Sequence, residues 1–112
     1  LDEGKTFKYL GEVQGKVLDA NHPDIQMING EAWVVFQGRD PISDKGWGVI
    51  RPWILKISGE GKISQPQQVP FLGDSVAYPY LFKGTGGRIY ATWTEISENG
   101  PKAVLCRGRI IQ

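Results

Sequence analysis

One cysteine, one histidine and one methionine in 112 residues leave little material for redox or metal chemistry. The lone Cys106 has no partner for an intrachain disulfide, and with His22 as the single histidine the chain lacks a Cys/His zinc set. No metal site and no cofactor are expected. An excess of one charge is also missing: 13 Lys and Arg stand against 12 Asp and Glu, and neither sign gathers in a block. That excludes the basic footprint by which a protein grips nucleic acid. Apolar runs stop after a few residues, as in Ala32 to Phe36 and Trp53 to Leu55, far short of the ~20 needed to span a bilayer. Neither nucleic acid nor membrane is expected as a partner.

Uninterrupted helix-forming sequence is equally scarce. Fifteen glycines and seven prolines leave one window, Arg88 to Asn99, that reaches the length of a stable helix without a breaker. Inside it Ile89, Ala91 and Trp93 alternate with Tyr90, Thr92 and Thr94, and the residues are mostly β-branched or aromatic, so it predicts a strand. Ala32 to Gln37 repeats the pattern and is closed by Gly38. An all-β fold follows.

The strand candidates recur in the same order. His22-Pro23-Asp24-Ile25 lies over Tyr78-Pro79-Tyr80-Leu81, and Ala32 to Phe36 over Ile89 to Trp93. Trp53-Ile54-Leu55-Lys56 matches Ala103-Val104-Leu105-Cys106, and Lys5-Thr6-Phe7 answers to Lys62-Ile63-Ser64. The chain reads as a single domain, 1–112, built of two repeats at about 5–61 and 62–112. Each holds four strand candidates, the size and count of an antiparallel β-propeller blade. The segments before the X-Pro corners, Thr6 to Val13 and Ile63 to Phe71, are expected as outermost strands. Two blades cannot close a ring, and each would leave an apolar face and an open edge in water. Homo-oligomerisation into a complete propeller is therefore expected, three chains giving six blades or two giving four. In architecture this resembles the small two-blade lectins that trimerise into six-bladed rings.

Alternate connections of an antiparallel sheet share one end, which gathers the polar loop residues at one mouth. The connection from Gly38 to Pro52 is six or seven residues longer than its counterpart and carries Trp47 between two glycines. Long loops on rigid scaffolds carry function. Trp47 suits stacking on a sugar ring, with Arg39, Asp40 and Arg51 binding hydroxyls or a carboxylate. The X-Pro corners add Asp24 and Tyr80, and the end of the aromatic strand adds Glu95. The bland alternatives are an interface packing role for Trp47, a surface Arg39–Asp40 pair, and a shared structural corner for His22 and Asp24. Trp33, Phe36, Tyr90 and Trp93 read as packing.

Tyr78-Pro79-Tyr80-Leu81 through Tyr90-Ala91-Thr92-Trp93-Thr94-Glu95 resembles the sialidase-like, Asp-box propellers, whose blades carry an X-Pro corner and a strand ending near Trp-Thr. The Asp-box order is present one residue short in Ser43-Asp44-Lys45-Gly46-Trp47, or without its Trp in Ser58-Gly59-Glu60-Gly61-Lys62. The resemblance implies glycan chemistry, yet the three arginines and the Tyr–Glu pair of a sialidase match no motif here. The first expectation is a lectin-like carbohydrate-binding protein. The alternatives are a glycoside hydrolase of the sialidase-like group, or a fragment of one, with Asp24, Asp40, Asp44, Glu95 and Glu98 as available carboxylates, and a protein-interaction scaffold. A carbohydrate-binding role would favour a secreted or periplasmic location.

Overall fold

A computed structural model describes residues 7–40 and 49–109. Seven strands follow one another and no helix occurs among the described residues: β1 (Leu18–Ile28), β2 (Glu31–Arg39), β3 (Ile50–Ile57), β4 (Gln67–Gln68), β5 (Ser75–Lys83), β6 (Arg88–Ser97) and β7 (Gly100–Arg109). They form two antiparallel meanders, a four-stranded sheet in the order β1-β2-β3-β4 and a three-stranded sheet in the order β5-β6-β7.

Local chemistry sets the hairpins. Asn29 and Gly30 join β1 to β2 with φ of 51° and 81°, the two left-handed conformations a two-residue turn demands, which Asn and Gly tolerate best. Glu98 and Asn99 make an equally short turn, with Ser97 facing Gly100 across it. The matching connection between β2 and β3 is longer. Phe36 pairs with Trp53 as Trp93 pairs with Val104, so that connection carries six extra residues, and the third run aligns one residue away from the match expected above.

Both X-Pro corners distort their strands in the same way. Pairing jumps from Asn21↔Gln37 to Asp24↔Val35 and from Ala77↔Thr94 to Tyr80↔Thr92. His22-Pro23 and Tyr78-Pro79 thus each face one residue, a bulge that bends the strand. His22 and Tyr78 hold φ of 52° and 57°, a conformation costing a side-chain-bearing residue about 1–3 kcal/mol.

The Ile63 to Phe71 segment joins the first sheet. Gln67 and Gln68 pair with Ile54 and Trp53, and Ile63 bridges Ile57. Phe7 to Val13, the other segment expected as an outer strand, forms no strand.

The sheets stack face on face. Ile28 and Val35 of the first pack on Val76, Leu81, Ala91 and Trp93 of the second. The opposite face of the first sheet forms its own cluster, Val34, Phe36, Trp53 and Leu55, closed by Val17. Burial follows from this layering. In β6 Ile89, Ala91, Trp93 and Glu95 are buried and their neighbours are not, the alternation of a strand covered on one face. In β2 Val34, Val35 and Phe36 are buried in succession, because the first sheet is covered on both sides.

Gly38 lets the chain pass close beneath β1. A Cβ there would meet Val17 Cγ1 at 2.4 Å and the Leu18 carbonyl at 2.9 Å, and the Gly38 carbonyl accepts the indole N–H of Trp53 at 3.0 Å. Gly38→Ala is expected to lower unfolding stability by about 1–3 kcal/mol in urea denaturation. Gly59→Ala, whose Cβ would meet only an ordinary contact at 3.6 Å, serves as the silent comparison.

Candidate functional site

The two bulged corners meet. The rings of His22 and Tyr78 pack edge to face with centroids 4.7 Å apart, and His22, Pro23, Tyr78, Pro79 and Tyr80 line a recess of about 70 Å³. Two polar side chains of the first sheet fasten the second sheet here. The Asp24 carboxylate accepts the backbone N–H of Leu81 at 2.8 Å, and the Gln37 amide oxygen accepts that of Tyr78 at 2.8 Å. Both donors belong to β5, the edge strand of its sheet, and Tyr78 sits in its bulge, so the side chains supply partners that no neighbouring strand provides. Tyr80 stands beside them with its ring more than half exposed.

Asp24 and Tyr80 are thus brought together. Arg39, at the end of β2, grips Asp19 instead: Nε donates to Oδ2 at 2.6 Å and Nη2 lies 2.5 Å from the same oxygen. Asp19 sits across β1 from it at φ 53°. Asp40, half-buried, directly follows β2. Arg51 points along the sheet toward its outer edge, with Nη1 donating to Gln68 Oε1 at 3.5 Å and the guanidinium 5.9 Å from the Phe71 ring centroid. Trp47 lies outside the described residues.

Glu95 belongs to a different construction. It is buried on β6, and its carboxylate accepts the N–H groups of Leu72 at 3.2 Å and Gly73 at 2.9 Å together with the Trp93 indole at 3.1 Å. Three donors satisfy an anion with no cation among these partners. The result ties the crossover from the first sheet to the second, and Gly73 fits closely there, since a Cβ would lie 3.1 Å from Glu95 Cβ and from the Ile96 carbonyl.

Of the seven residues singled out in the sequence, Asp24 and Tyr80 therefore share the corner, while Arg51 and Glu95 face the crossover. The residues that complete the corner are His22, Gln37 and Tyr78. The signal for His22 and Tyr78 was their common place before proline in the two repeats. Larger grooves of about 350 and 470 Å³ run beside the outer strands and are walled mainly by apolar groups such as Trp33, Leu81, Phe71 and Leu105. Among the described residues no three His, Cys, Asp or Glu side chains cluster as metal ligands.

No protein-family model matches the chain, and no curated protein or solved structure is similar to it. Its site is read from geometry alone.

Removing a carboxylate that satisfies a backbone donor strands that donor, at about 1–3 kcal/mol each. Asp24→Ala is expected to lose about that much stability. Glu95→Ala, which strands three donors, is expected to lose more. Urea titrations of both variants beside the native chain give the order, and equal losses would contradict it.

Proposed function

We propose that this chain is a carbohydrate-binding, lectin-like protein, that its two sheets are blades of a β-propeller, and that further copies complete the ring. The observation that carries the binding reading is the corner itself. Two strained, bulged X-Pro segments hold His22, Tyr78 and Tyr80 around one recess, and Tyr78 and Tyr80 keep their rings exposed at 56% and 58%. A sugar offers an apolar C–H face and a rim of hydroxyls. Exposed aromatic rings beside Asn21 and His22 suit both, and backbone strain at two equivalent positions of the repeats is a feature that clusters at ligand sites.

The carboxylates favour binding over glycoside hydrolysis. Asp24 Oδ2 and both Glu95 oxygens accept backbone or indole N–H groups, whereas an acid and a base flanking a scissile bond must face substrate. A ring of copies would repeat the corner, so that weak single sites combine through avidity.

The test is a glycan array with the native chain, followed by titration of retained glycans against Tyr80→Ala. Tyr80 is exposed, so the variant is expected to fold as the native chain does and to lose at least tenfold in affinity. Retention of no glycan by the native chain, or unchanged affinity in the variant, would overturn the assignment.

A further inference from the structure

The stacking of the two sheets is head to tail, and this points to what covers the remaining faces. Matching pairs define a front and a back on each sheet. The front carries Val34, Phe36, Trp53 and Leu55 in the first sheet and, at the same register, Ala91, Trp93, Val104 and Cys106 in the second. The back carries Trp33, Val35 and Ile54, answered by Tyr90, Thr92 and Leu105. Within the molecule the back of the first sheet packs on the front of the second. The contact is therefore heterologous: the surfaces that meet are different. It leaves the back of the second sheet with no sheet against it, while the centre of the first sheet's front is closed by Val13 and Val17 and only its β1 flank stays open.

The unused surfaces are apolar. On the back of the second sheet Leu105 is 63% exposed, and Phe82 on the same face is 44% exposed. On the front of the first sheet Ile25 is 59% exposed and Met27 lies next to it, although Leu81, which holds Ile25's place in the second sheet, is 5% exposed under the first. The edges tell the same story. β3 is covered by β4, with Gln67 opposite Ile54, whereas β7 ends its sheet. The segment equivalent to β4 in the first repeat contains Leu10, which is exposed and unpaired in any strand. Carried over at the observed register, Leu10 falls opposite Leu105.

The geometry points to a second copy of this chain as the occupant: the back of its neighbour's second sheet receives the open β1 flank of its first sheet's front, Ile25 and Met27, and its segment around Leu10 adds to the β7 edge as a fourth strand. This rests on the ring part of the reading above and is independent of the glycan. One occupant covers both surfaces at once because, within the chain, the same neighbour relation joins front face and edge strand: the segment that pairs β3 leads directly into the sheet stacked on that β3. Edge pairing supplies the backbone bonds and the face supplies the apolar burial.

Two single-face variants test it. Leu105→Glu spoils the back of the second sheet and Ile25→Glu spoils the front of the first; both sites are exposed, so circular dichroism is expected to match the native chain. Light scattering at micromolar concentration is expected to give a discrete assembly of two or more copies for the native chain and a monomer for each variant. An equimolar mixture of the two variants is expected to form a heterodimer and go no further, since one intact back meets one intact front. A monomeric native chain, an assembly untouched by either variant, or a mixture that stays monomeric would each overturn the proposal. Glycan binding by a monomer would separate its failure from failure of the carbohydrate reading.

Discussion

The burial of Val35 and Ile28 against Val76, Leu81 and Trp93 is the contact on which the other features depend. Among the described residues neither meander is backed by a helix or carries a cluster of metal ligands, and a small open sheet gains independent stability only by packing its apolar face. Each becomes stable by lending one face to the other. That requirement explains why both flanking strands, β1 and β5, lie near the shared layer, and why polar side chains there are used as fasteners. Asp24 and Gln37 reach across the layer to N–H groups of the edge strand β5, those of Leu81 and of the bulged Tyr78.

The bulges in turn locate the candidate site. A proline cannot donate to a ladder, and the residue before it in each corner holds a left-handed φ, 52° at His22 and 57° at Tyr78, inside the bulge. Two corners in adjacent sheets put His22 against Tyr78. The same irregularity thereby provides a structural joint and an exposed, rigid cluster of rings.

Much of this architecture is legible from residue order. The alternation through Ile89, Ala91 and Trp93 predicts β6, that of Ala32 to Gln37 predicts β2, and the paired X-Pro corners predict equivalent bends. The buried run Val34-Val35-Phe36 shows where such reading falters: alternation identifies one buried face, and coverage of the second depends on Val17 and on another sheet. The roles of Asp24 and Glu95 are hidden for a related reason. A carboxylate near a predicted mouth looks available for ligand, and the Leu81, Leu72 and Gly73 donors that occupy these two lie far away in sequence. Register across β3 and β7 likewise emerges only from pairing, since a single-residue slip exchanges one face for the other.

The position of β4 has a consequence for synthesis. Gln67 and Gln68 complete the first sheet before any strand of the second sheet exists in the growing chain. The first meander can therefore close its hairpins and its outer edge while its Ile28 and Val35 face stays uncovered. At roughly 5–20 residues per second, the remaining stretch takes a few seconds to emerge. Throughout that interval the nascent protein presents a finished sheet with one bare apolar side, so the order of its strands dictates when, and on which surface, it is most in need of a chaperone.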